Sequence, residues 1–142
     1  DRTKKEVRLK LEEKYRNKVA ILRAIEKLEE FGYLNDLDYA MSYIESRTYG
    51  KNRISYNLFQ KGISKDVVEK AYLTLDEEKE ENVEDVKLEK LIEKKGKKVN
   101  VNNERDEKKI KEEQKLIQYL ARQGFSLDKI FKKLKEYKGN YE

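Results

Sequence analysis

A string that occurs twice limits what this chain can fold into more than any other feature. Ile54-x-x-x-Leu58-x-x-x-Gly62-Ile63-Ser64-x-Asp66-x-Val68 is matched by Leu116-x-x-x-Leu120-x-x-x-Gly124-Phe125-Ser126-x-Asp128-x-Ile130. Each copy reads as a corner between two helices. Two apolar residues four apart share a helix face and pack it down. Glycine supplies the left-handed turn that ends the helix. The next apolar residue folds back onto the core, and serine caps the helix that follows. A weaker third copy stands near the start, where Val7, Leu11, Tyr15, Arg16, Asn17 and Ile21 occupy the same places. There Tyr15 replaces glycine and Arg16 the apolar residue, while Asn17 can still cap. The copies are spaced unequally, and the extra length falls near the polar stretch from Lys95 to Asn103. Three helices fit each interval, so the unit is a three-helix repeat that buries its apolar faces partly against neighbours.

Local pattern agrees with an all-α fold. The chain has 142 residues and no proline, so no helix interior loses an N–H to one. Lys, Glu, Leu and Ile are good or acceptable helix formers. Apolar spacing predicts helices from about Lys4 to Lys14 and from about Lys18 to Phe31, the second with Ile21, Ile25 and Leu28 on one face and Leu22 beside them. Gly32 suits the stop after it, and Asp36 is the expected N-cap of a third helix with Tyr39, Ala40, Tyr43 and Ile44 inward. A fourth runs from about Asn52 to Lys61. A fifth, capped by Ser64, faces inward through Val67, Val68, Ala71, Tyr72 and Leu75. The acidic run from Asp76 to Asp85 reads as a solvated helix end or linker. Beyond it come helices from about Val86 to Lys94, from about Asp106 to Gln123 with Ile110, Ile117 and Leu120 inward, and from Leu127 to Tyr137 with Ile130, Phe131 and Leu134 inward. The stretch from Lys95 to Asn103 reads as an exposed, flexible connection.

Composition says which chemistries are closed. Charged residues make up 44% and hydrophobic ones 37%, so the core is thin and long Lys and Arg stems cover part of it. That suits an elongated array better than a ball. The net charge of +5 permits binding to phosphates or to an acidic protein surface without demanding either. With no Cys and no His, disulfides, thiolate chemistry, zinc sites built on those residues and histidine acid–base catalysis are excluded. Carboxylate pairs such as Glu12 and Glu13, or Asp36 and Asp38, are what a charged helical chain has by default. No glycine-rich phosphate loop occurs. No catalytic residue, metal or cofactor is therefore expected. No run of about 18 apolar residues is present to span a membrane, and no secretory signal opens the sequence. A first residue of Asp rather than Met points to a piece of a longer protein.

The candidate contact residues are Arg47, Tyr49, Lys51 and Arg53, on the turn between the third and fourth helices, together with Lys61. Arginine grips phosphate or carboxylate with a two-pronged fork and lysine acts as a point charge. An exposed Tyr49 could stack on a base or add interface area. Other basic runs (Lys94, Lys95, Lys97 and Lys98; Lys108, Lys109 and Lys111; Lys132, Lys133 and Lys135) are interrupted by glutamates and read as ion-paired helix surface. Most aromatic residues fall on apolar stripes and are core packers first. Tyr33 and Leu34 are expected to pin the turn after Gly32, as Ile63 and Phe125 pin theirs.

Taken in order, several motifs resemble the RecX family. They are Leu28-Glu-Glu-Phe-Gly-Tyr-Leu-Asn-Asp36, then Tyr39-Ala40 and Tyr43-Ile44-Glu-Ser-Arg47, the turn Arg47-Thr-Tyr-Gly-Lys-Asn-Arg53, Lys61-Gly-Ile-Ser64 and Leu120-Ala-Arg-Gln-Gly-Phe-Ser126. The resemblance covers nearly the whole chain. It implies tandem three-helix repeats forming an elongated, curved array, here divided into 1–16 as the remnant of a first repeat, 17–63 as the second, and 64–142 as the third with a C-terminal helix. It further implies a monomeric, cytoplasmic bacterial regulator without catalytic residues or cofactors. Such a regulator binds along the groove of RecA–DNA filaments, meeting DNA within the filament, and inhibits strand exchange, ATP hydrolysis and co-protease activity. The chain departs from the family pattern in lacking the opening helices of the first repeat, in Tyr15 and Arg16 at its junction, and in the insertion-like stretch from Lys95 to Asn103. The same basic turn would also serve a helical nucleic-acid-binding module or a protein-only adaptor with no RecA contact.

Overall fold

The computed structural model describes residues 2–96 and 107–139, and the regular structure among them is entirely helical. The helices are α1 (Lys4–Lys14), α2 (Lys18–Glu30), α3 (Asp36–Ser46), α4 (Lys51–Gln60), α5 (Lys65–Lys79), α6 (Val83–Gly96), α7 (Glu107–Arg122) and α8 (Leu127–Gly139). None is long and apolar enough to cross a membrane.

Helix ends follow the repeated corner. Gly32, Gly62 and Gly124 have φ of 77°, 87° and 104°. In each case the next N–H reaches back to a carbonyl of the last turn: Tyr33 to Leu28 (2.8 Å), Ile63 to Leu58 (3.0 Å) and Phe125 to Leu120 (3.2 Å). This left-handed stop satisfies carbonyls the helix leaves open. Helix α1 ends otherwise. Tyr15 is extended (φ −128°, ψ 142°), and its N–H bonds to the Leu11 carbonyl. Asn17, Ser64 and Ser126 all cap as expected, accepting the N–H groups of Ala20, Val67 and Lys129 at 3.1, 3.3 and 3.3 Å.

Two boundaries differ from expectation. The cap of α3 is Asn35, whose side chain accepts the Asp38 N–H at 3.1 Å. Asp36 is instead the first helical residue, and its carboxylate accepts the Lys4 backbone N–H at the start of α1 (3.1 Å), where a negative charge suits the helix dipole. The acidic run is divided between two helices. Helix α5 continues to Lys79, and α6 starts at Val83 because Asn82 caps it, accepting the Asp85 N–H at 3.0 Å. Lys95 and Gly96 close α6; the rest of the polar stretch, with Lys97 and Lys98, lies outside the described residues.

The chain forms two compact units: Asp1–Arg47 with Ser55–Glu78, and Thr48–Ile54 with Lys79–Glu142. In the first, Ile21, Ile25 and Leu34 form a small core against which Val7, Leu11 and Leu28 pack. Leu34 pins the turn after Gly32, whereas Tyr33 does not: it is 78% exposed. Thr3 is fully buried ahead of α1. Its hydroxyl donates to the Lys61 carbonyl (2.7 Å), and with Glu6 it forms a reciprocal cap.

The second unit packs Leu88 and Ile92 of α6, Leu116 and Leu120 of α7, Phe125, and Ile130 and Leu134 of α8 into one core. Ile110 and Phe131 were expected inward and are about half exposed, as is Leu22 beside the inward face of α2 in the first unit. The helix angle explains two of them: Phe131 and Leu22 lie about 100° round the axis from the buried Ile130 and Ile21. Ile110 instead lies in the first turn of α7, more than a turn before the first buried residue of that helix, Leu116.

Candidate functional site

The expected contact residues divide between the two units. Arg47 and Lys61 belong to the first; Tyr49, Lys51 and Arg53 belong to the second.

In the first unit, Tyr39, Tyr43 and Arg47 follow one another at four-residue spacing, which stacks side chains along a helix face. The two tyrosine rings lie 6.5 Å apart and 14° from parallel. The Arg47 guanidinium sits 4.5 Å over the Tyr43 ring, and its Nη1 donates to Ser46 Oγ. At the other end the Lys61 ammonium lies 5.9 Å from the Tyr39 ring centre. Its hydrogen bond with Tyr39, outweighing burial, holds it above the ordinary lysine value of 10.5. Asn57 steadies the middle, donating from Nδ2 to the Tyr43 hydroxyl at 3.0 Å. The result is a ladder of two cations with two aromatic rings between them. Arg47 rests on the Tyr43 ring and Ser46, and Lys61 is held by its bond with Tyr39 in the field of Glu6, which places a positive charge at each end of the ladder.

In the second unit, Arg53 lies 3.7 Å over the ring of Tyr49, and its Nη1 donates to Gln123 Oε1 (3.4 Å). Tyr49 is therefore half-buried with one face taken, not the exposed stacking platform expected of it. The backbone here is fastened to the Gly124 corner. Gly50 N–H donates to the Gln123 carbonyl (2.7 Å) and Asn52 N–H to that of Gly124 (3.0 Å). A Cβ on Gly50 would stand 2.4 Å from the Gly124 carbonyl carbon, so only glycine allows this approach. The Lys51 N–H donates to Glu84 Oε2.

Glu84 was not singled out from the sequence. It is 6% exposed and also accepts Lys129 Nζ at 2.7 Å; Asp85 accepts the same ammonium at 2.9 Å. Burial alone would lower the Lys129 pKa, but the hydrogen bonds to Glu84 and Asp85 outweigh it and hold the group above 10.5. One signal was available: Glu84 shares a face with Leu88 and Ile92 at four-residue spacing. The basic run around Lys133 is ion-paired surface, with Glu89 at 2.7 Å and Glu136 at 3.3 Å. Lys95 covers the Tyr119 ring at 4.5 Å.

Capped corners between α1 and α2, α4 and α5, and α7 and α8, with basic side chains laid on tyrosine rings, define an all-α protein built of three-helix repeats. The chain belongs to the RecX family. The crystal structure of RecX from Lactobacillus salivarius superposes with a TM-score of 0.75 at 30% identity, covering 95% of this chain and 84% of that one. The family profile for "RecX, second three-helix domain" matches residues 35–71. Regulatory protein RecX of Clostridium perfringens (strain SM101 / Type A) is 38% identical over 129 residues, which are 89% of this chain and 58% of that protein. Its counterpart in Clostridium botulinum (strain Alaska E43 / Type E3) is 35% identical over 137 residues, 95% of this chain and 61% of that protein. The chain thus spans about three-fifths of the length of these relatives.

Proposed function

We propose that this chain is a non-catalytic regulator that binds RecA filaments on DNA and restrains their strand exchange, ATP hydrolysis and co-protease activity. It would act as a monomer in the bacterial cytoplasm and meet DNA within the filament. The observation that carries this reading is a pairing. Each unit of a RecX-like fold sets cations against aromatic rings, Arg47 and Lys61 in the first and Arg53 in the second, and these pre-placed charges would meet the phosphates or carboxylates that the filament offers. Pre-placed side chains lose less entropy on binding than free ones.

The test is the ATPase rate of RecA on single-stranded DNA, with and without the protein. Inhibition that weakens as salt rises is the expected result. Arg47→Ala combined with Arg53→Ala should weaken inhibition while far-UV circular dichroism stays the same. Full inhibition by that double variant removes the basic turn from the mechanism. Binding to bare DNA as tight as to RecA-coated DNA would favour a plain nucleic-acid-binding module instead.

A further inference from the structure

We infer that Glu84, locked by Lys129, is a positioning residue that sets Tyr49 and Arg53 of the basic turn in their binding geometry. The inference rests on the reading of that turn given above and adds how the second unit builds it.

Helix α4 begins without a side-chain cap. Gly50 stands at that position, its carbonyl accepting the Ile54 N–H at 3.1 Å, and a glycine has nothing with which to hold the first-turn N–H groups. Other segments of the same unit hold them. The Gly124 carbonyl takes the Asn52 N–H, and the Glu84 carboxylate takes that of Lys51. Glu84 brings a full negative charge to the positive end of α4, a charge-assisted bond stronger than a neutral one.

The carboxylate cannot wander, because Lys129 Nζ grips its other oxygen at 2.7 Å. Lys129 is fixed in turn: its backbone N–H is capped by Ser126, next to the buried Phe125, and its ammonium also meets Asp85. A continuous chain of bonds therefore runs from the Gly124-Phe125-Ser126 corner through Lys129 and Glu84 to the first turn of α4. Arg53 lies on that turn and Tyr49 directly precedes it. A solvated surface acid would not be 6% exposed, nor would it divide its two oxygens between a helix start and a lysine. The arrangement is what an immobile Arg53 needs, since the guanidinium must keep its place over Tyr49 and Gln123 to offer a charge of fixed position.

The experiment measures binding to RecA filaments assembled on oligo(dT) for the wild type, Glu84→Ala, Glu84→Gln, Arg53→Ala and the double variant Glu84→Ala/Arg53→Ala. Glu84→Ala is expected to weaken binding about tenfold, the scale set by leaving a buried donor unsatisfied. Added to Arg53→Ala it should cost nothing more, because a positioning residue acts through the side chain it positions. Glu84→Gln, which keeps an acceptor for the Lys51 N–H, should fall between wild type and Glu84→Ala, and it carries the comparison if the alanine variant does not fold. Amide exchange at Lys51 and Asn52 should accelerate in Glu84→Ala, while that of the Leu120 core stays slow. Two results overturn the inference and leave the basic turn standing: wild-type binding by Glu84→Ala where Arg53→Ala is impaired, or losses from the two variants that multiply in full. Wild-type binding by Arg53→Ala overturns the reading of the turn itself, and this inference with it.

Discussion

The α1–α2 and α7–α8 hairpins carry the same corner pattern and close it in different ways. In α7–α8, Gly124 turns left-handed and swings Phe125 inward to 2% exposure, against Leu116 and Leu120 at 8% and 0%. In α1–α2 the chain passes through an extended Tyr15, which is 58% exposed. Arg16 points to solvent, and no residue of α1 is buried. The left-handed turn and the apolar residue after it thus work as a pair. Glycine matters where the next side chain must fold under the helix end. Where that side chain is a guanidinium, burying it would cost several kcal/mol, so the turn has nothing to deliver and an ordinary residue suffices. Asn17 and Ser126 still cap both second helices, so the hairpin persists without the inward plug.

The largest expected effect breaks the comparison at the plug. Phe125→Ala should destabilise the protein by about 3–5 kcal/mol, whereas the equivalent Arg16→Ala should stay within about 0.5 kcal/mol. The urea midpoint followed by far-UV circular dichroism checks both, and similar shifts would show that the corners are not different after all. Next come the glycines. Gly124→Ala forces a side chain into φ 104° and sets its Cβ 2.6 Å from the Arg53 backbone nitrogen. Gly32→Ala meets φ 77° with nothing within 4 Å. Strain alone costs about 1 kcal/mol, so Gly32→Ala should lose roughly that and Gly124→Ala about 3 kcal/mol. Equal losses would mean that backbone conformation, not close approach, sets the cost at Gly124.

The corners were legible because their signal is local: glycine, an apolar residue and a cap within a few positions specify a turn whatever lies around it. The helices were legible from apolar spacing for the same reason, and the chain's membership of its family from the order of those motifs. What spacing could not give was direction at the edge of a stripe. Leu22 and Phe131 are apolar and adjacent to buried positions, yet each sits about 100° off the buried residue before it. Asp36 and Asn35 are both good caps, and only the geometry chose Asn35. The basic turn was found as a loop rich in cations, but its partners Gln123, Glu84 and Lys129 lie far away in sequence, inside segments that read as surface. The assignment of Glu84 to solvent rested on its acidic neighbours, and a long-range partner is what local pattern does not encode.

The smallest expected effect sharpens the comparison between the units through their lysines. Lys129 and Lys4 both titrate above 10.5 in the folded protein. For Lys129 the bonds to Glu84 and Asp85 overcome burial, while for Lys4 the hydrogen bond to Glu29 is the largest cause. A lysine with a raised folded value stabilises the protein fully below its unfolded value and loses that contribution as pH rises through the folded one. Both contributions should therefore be complete at neutral pH and disappear only on the alkaline side of 10.5. They should not be equal. The Glu84 side chain facing Lys129 is 8% exposed and the Glu29 side chain facing Lys4 is 37% exposed, so water screens the second pair far more. Thermal melts between about pH 8 and about pH 12 for wild type, Lys129→Gln and Lys4→Gln would read this. The gap between wild type and Lys129→Gln should narrow as pH climbs past 10.5, and the gap to Lys4→Gln should be smaller throughout. A Lys129 gap that stays constant across that range would mean that its ammonium contributes packing rather than charge, and that the second unit is not fastened electrostatically at Glu84.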